Sequence, residues 1–126
     1  MTDQEFAEIL ALGHEIQGVE FKGPGRSSIR QFMAVVVRAV LGMANRRDGG
    51  RVIIGVEEVD NELNPVGLNE ADLATWNYDD VADRLAVYAD PSVSFEREVK
   101  EYNGNQYVIL YIEEFADIPV LCKRHY

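Results

Sequence analysis

Met43-Ala44-Asn45-Arg46-Arg47-Asp48-Gly49-Gly50-Arg51-Val52-Ile53-Ile54-Gly55-Val56-Glu57 is the stretch that decides the fold. Its first residues close a long helix, its glycine pair stops that helix, and its near-continuous aliphatic run reads as a strand buried on both faces. A helix delivered straight into a central strand is the joint of a mixed α/β layer. Two arginines precede the glycines and a third follows, so the joint concentrates positive charge.

On the N-terminal side, Ser28 with Gln31 reads as a capping box. A helix is predicted from Ile29 to about Arg46, with Phe32, Val36, Ala39, Val40 and Met43 on one face. Valines 35 to 37 in a row are weak helix formers, which implies a helix buried on most of its circumference. Before it, Val19-Glu20-Phe21-Lys22 alternates as a strand, and Gly23-Pro24-Gly25 ends it. Thr2 and Glu5 form another capping box, which opens a helix over 3–12 closed by Gly13.

On the C-terminal side, 57–65 reads as an acidic loop. A helix from Asn69 or Glu70 to about Tyr88 follows, broken near Asn77 and ended by Asp90-Pro91. Val93 to Tyr102 and Gln106 to Ile112 form a hairpin about Asn103-Gly104. Ile118 to Lys123 starts a further strand that stops at Tyr126, which suggests a longer parent protein. The expected architecture is one α+β domain over 1–126, a mixed β-sheet with flanking helices and a C-terminal β-hairpin.

The 126 residues are 47% hydrophobic and 27% charged, an ordinary globular balance. The longest apolar run, Phe32 to Val37, is far too short to span a bilayer, and no basic secretory start is present. With Cys122 as the lone cysteine, no intrachain disulfide can form, and the chain reads as cytoplasmic. The net charge of -10 runs against a polyanion partner, since phosphate binding draws on cations. Any nucleic-acid site must therefore be a local basic patch or be helped by a cation.

The joint, together with Glu15-Ile16-Gln17-Gly18-Val19-Glu20-Phe21-Lys22, resembles the Schlafen-type AlbA domain. The shared features are an acid five residues before a Glu-Phe-Lys motif, a helix ending in Ala-Asn, and a Gly-Gly pair. A strand ending Gly-Val with an acidic turn follows, and Pro65-Val66-Gly67-Leu68 is similar to the family's turn into its next helix. The resemblance spans about 13–124. It implies a mixed sheet with flanking helices, nucleic-acid binding within a regulatory or defence protein, and, in some members, metal-dependent RNA cleavage.

Carried over by position, the resemblance makes Glu15, Glu20 and one of Glu57 or Glu58 the carboxylates of a catalytic Mg²⁺ or Mn²⁺ site. Lys22 would contact phosphate. The family often has Asp at the third position, where this chain has Glu. Oxygen ligands suit either ion, and a cation would offset the crowding of carboxylates. Read without the resemblance, Glu20 and Lys22 form a strand-edge ion pair, and Glu15 is a solvated turn residue.

Arg46, Arg47 and Arg51 are candidate phosphate contacts, extended by Lys22, Arg26 and Arg30. The Gly49-Gly50 pair alone is explained as a helix C-cap and turn. No P-loop or other nucleotide motif is present. Trp76 reads as a core anchor or, alternatively, as a base-stacking platform with Tyr78. His14 reads as a solvated loop residue rather than a catalytic base, and His125 is too far along the chain to pair with it at metal spacing. The competing function is a non-catalytic protein-interaction or dimerisation module, with Phe95, Tyr102, Tyr107 and Tyr111 pairing between protomers in a homodimer.

Overall fold

The computed structural model describes residues 1–90 and 92–115, and the backbone of 121–122. Helix α1 (Asp3–Leu12) begins where the Thr2 side chain accepts from the Glu5 backbone N–H, 3.0 Å away, and ends at Gly13 in the left-handed region. Strand β1 (Val19–Lys22) follows, then helix α2 (Arg30–Ala44). Strand β2 (Gly50–Ile54) leads into β3 (Val56–Val59) and β4 (Glu62–Pro65). A short helix α3 (Glu70–Leu73) and a 3-10 turn (Ala74–Trp76) precede α4 (Tyr78–Tyr88). Then come β5 (Ala89–Asp90), β6 (Phe95–Tyr102), β7 (Asn105–Ile112) and β8 (Leu121–Cys122).

The main sheet runs β1-β2-β7-β6. β1 is parallel to β2, and the other two pairings are antiparallel. The expected mixed sheet is present, with β2 inside it. Strand alternation sorts its side chains onto two layers. Val52, Ile54, Val108 and Leu110 pack with α2, Trp76 and α4. Val19, Phe21, Ile53, Tyr107 and Ile109 pack with Phe6 and Leu10 of α1. Helices therefore cover both faces.

The valine run is helical because burial outweighs propensity. Each valine costs about 0.5 kcal/mol against alanine in a helix, whereas burying one stabilises by about 1.5–3 kcal/mol. Val36 and Val37 are fully buried, and Val35 faces outward.

Three expectations need correction. The α2 N-cap is Ile29, with no side-chain cap bond, so the Ser28 capping box does not form. Ser27 is instead buried, its N–H donating to Thr75 Oγ1 at 2.9 Å and its hydroxyl to the Thr75 carbonyl, and that turn sets the helix start. The helix also stops at Ala44, and Arg46 lies in the turn beyond it. Finally, 57–65 is no loop: β3 and β4 pair antiparallel about Asp60 and Asn61, both in the left-handed conformation of a tight hairpin turn.

The break near Asn77 is real, and Asn69 and Asn77 cap the two helices on either side of the 3-10 turn. Of the strand expected over 118–123, Leu121–Cys122 pairs antiparallel with β5, and the rest lies outside the described residues, as does Pro91. Among the described residues no helix is long and apolar enough to cross a membrane.

Candidate functional site

The alternation of β1 places its chemistry. Val19 and Phe21 turn toward α1, so Glu20 and Lys22 project on the α2 side of this edge strand. There they line a cleft of about 520 Å³ with Arg38 from the outer face of α2 and Arg46 from the turn after it. Glu20 Oε1 lies 3.3 Å from Lys22 Nζ.

The turn after α2 supplies the rest. The Arg46 carbonyl accepts from the Gly49 N–H at 2.9 Å, and the Asp48 N–H donates to the Glu114 carboxylate at 3.1 Å. Gly49 is required twice over: its φ is +67°, and a Cβ there would collide with the Ile112 carbonyl oxygen. The chain thus passes directly into β2, where the Arg51 N–H donates to the Gly18 carbonyl at 2.9 Å. Gly18 lets the Arg46 guanidinium lie against the backbone, since a Cβ at 18 would be 3.3 Å from Arg46 Nη1.

Arg46, Arg47 and Arg51 line a second cleft, of about 460 Å³, closed on one side by Tyr111. The Arg51 guanidinium carbon sits 6.0 Å from the centroid of the Tyr111 ring, within cation–π range. Tyr111 is itself held by its hydroxyl, which donates to Glu98 Oε1 at 2.6 Å. Burial first, then this bond and the Glu98 charge, push the Tyr111 phenol well above its ordinary value.

Arg46 lines both clefts, so they adjoin. Together they gather Lys22, Arg38, Arg46, Arg47 and Arg51, five of the chain's twelve lysines and arginines, against two lining carboxylates, Glu20 and Asp48, with Glu114 and Glu98 bonded to the lining residues Asp48 and Tyr111. A strongly acidic chain therefore carries a locally basic surface where the two signature segments meet.

Other candidates lie elsewhere. Arg26 Nε bonds Asp72 Oδ1 at 2.8 Å and lines neither cleft. Arg30 lines a separate small cleft with Arg84 and Tyr88. Glu15 is exposed in the connector before β1, where its carbonyl lies 2.9 Å from His14 Nδ1. Glu57 is exposed on β3, beside Gly23 beyond the other end of β1, and Glu58 is exposed next to it.

Among the described residues no three carboxylates, imidazoles or thiols stand close enough to hold a metal ion. The four carboxylates that the resemblance offers for Mg²⁺ or Mn²⁺ are thus not assembled into one ligand set. Trp76 is fully buried, its Nε1 donating to the Gly25 carbonyl at 2.9 Å, so it anchors the core. Tyr78 is half exposed and stacks on Phe95. His125 and the Cys122 side chain lie outside the described residues.

Sequence reading missed Arg38. The available signal was the outer face of α2: Val35, Arg38, Gly42 and Asn45 recur at helical spacing opposite the buried stripe.

The family described as Schlafen, AlbA_2 matches residues 15–126. Among solved structures, the chain is similar to the N-terminal domain of a RecG-related protein from Nitrosomonas europaea. The TM-score is 0.73 and the identity 21%, covering 100% of this chain and 83% of that one. It is also similar to the DIP2311 protein from Corynebacterium diphtheriae, with a TM-score of 0.63 and 19% identity over 93% of this chain. In that case it spans 22% of the other protein's length. A search of the curated proteins gives no match.

Proposed function

This chain belongs to the Schlafen, AlbA_2 family, and we propose that it is a nucleic-acid-binding domain that holds a phosphate backbone in the two adjoining clefts around Arg46. The carrying observation is the gathering of five cations onto one surface of a chain with net charge -10. Such a patch supplies the phosphate attraction that overall charge does not. The description of the Nitrosomonas europaea protein as related to a DNA helicase agrees with a nucleic-acid partner.

The roles divide by position. Arg46, seated on Gly18, is the central contact shared by both clefts. Arg51 is aligned by Tyr111, and a planar guanidinium so held can donate to two phosphate oxygens side by side. Arg47, Arg38 and Lys22 extend the surface to either side. The reading rests on binding, and metal-dependent cleavage by Glu15, Glu20 and one of Glu57 or Glu58 is a separate step that the assay below tests.

Fluorescence anisotropy with labelled single-stranded RNA and DNA tests it. The Arg46→Ala/Arg51→Ala protein, checked for folding by circular dichroism, should bind at least about tenfold more weakly, since each phosphate contact is worth about 1 kcal/mol or more. Equal binding by that folded variant would refute the site. The same strands incubated with Mn²⁺ or with EDTA reveal cleavage, and metal-dependent cutting that Glu20→Gln abolishes would add the nuclease activity. A folded protein that binds neither strand would move the weight to an interaction or dimerisation module, visible by sedimentation.

A further inference from the structure

Glu20 is the one acidic side chain among the described residues lining the cleft that also holds Lys22, Arg38 and Arg46. Its placement is not explained by stability. At side-chain exposures of 37% for Glu20 and 24% for Lys22, an ion pair of this kind contributes little to folding. Nor does the strand need a carboxylate there, since residue 20 points away from the α1 layer, at the sheet edge. What the carboxylate does do is occupy a cation of the phosphate surface. A phosphate entering the cleft meets Lys22 already engaged at 3.3 Å, and meets a negative charge beside it.

Resting on the binding function proposed above, we infer that Glu20 is a built-in competitor of ligand phosphate. It holds Lys22 in reserve and keeps the cleft from binding polyanions indiscriminately. The ligand must displace the Glu20 carboxylate from Lys22, so only a strand that also engages Arg46 and its neighbours recovers the loss. The same carboxylate that the family resemblance offers as a metal ligand is, in this chain, counter-ion to the binding surface. The counter-ion role stands on the 3.3 Å ion pair that Glu20 makes with Lys22 inside the cleft.

The test is the affinity of the full chain for a labelled single-stranded polythymidine or polyuridine probe, measured in EDTA across a salt series. Glu20→Gln should bind about fivefold more tightly, the size of one exposed ion pair released. Its log K against log salt should steepen by about 0.7, for one further phosphate neutralised. Glu101→Gln, the same charge change on exposed β6, should leave both unchanged. In a Lys22→Ala background most of the gain from Glu20→Gln should vanish. Glu20→Gln binding no more tightly than wild type, or no more tightly than Glu101→Gln, overturns the inference. If wild type binds through Arg46 while Glu20→Gln is silent, only the competitor role falls. If no variant binds at all, the binding function falls with it.

Discussion

Single residues decide whether the basic turn can exist. Gly49 combines a positive φ with the Ile112 carbonyl where its Cβ would be, so Gly49→Ala must move backbone. A loss of about 2–4 kcal/mol is expected in urea unfolding. Gly104 has a positive φ but open space around it, so Gly104→Ala should cost only about 1 kcal/mol, the conformational part alone. Equal losses at the two sites would refute the account of the Gly49 turn. Tyr111 gives a pH test. Its phenol is raised in the folded state above the ordinary 10.0, so the unfolded chain ionises first. The stability it lends is full below pH 10 and is lost as pH rises from there toward the folded value. Tyr111→Phe should lower stability at pH 7 by about 1 kcal/mol and flatten the decline above pH 10. An unchanged alkaline decline would contradict this. The turn at the glycine joint was legible in the sequence, but its glycine pair does not cap the helix, whose C-cap is Asn45. Arg38 was not legible, because an arginine on the polar face of a helix looks like ordinary solvation until a strand edge is placed beside it.

At the scale of elements, local chemistry was readable wherever one residue type dictates one conformation. Thr2, Asn69 and Asn77 cap the helices they precede, and Asn103-Gly104 turns β6 into β7 with both residues at positive φ. The β3–β4 hairpin escaped because its turn, Asp60-Asn61, carries no glycine and its strands are acidic and exposed, which resembles a loop. Its backbone already adopts the conformation that glycine prefers at the second turn position. Asn61→Gly should therefore keep or raise stability, by up to about 1 kcal/mol in thermal unfolding, while Asn61→Val should lower it. The reverse order would mean that the hairpin does not form. Ser28 misled for a different reason. The neighbouring Ser27 is drawn into the core by Thr75, a contact 48 residues away that no local window contains.

Across the whole molecule, the two signature segments are separated in the chain and joined by the parallel pairing of β1 with β2. That pairing sets Gly18 against Arg46 and turns a chain of net charge -10 into one with a concentrated basic surface. Composition alone gave the opposite impression, because charge summed over a chain does not report where the fold collects it. The carboxylates show a contrast: among the described residues no three form a metal-ligand group, while the cations gather along the two clefts. The central claim is that the gathered cations neutralise phosphates. It is tested most directly by the salt dependence of single-stranded nucleic-acid binding. With Lys22 held by Glu20, the contribution of Arg46, Arg47 and Arg51 should give log K against log salt a slope of about -2, dropping in magnitude to about -0.7 for Arg46→Ala/Arg51→Ala. A slope near zero, or one that the double substitution leaves unchanged, would contradict it.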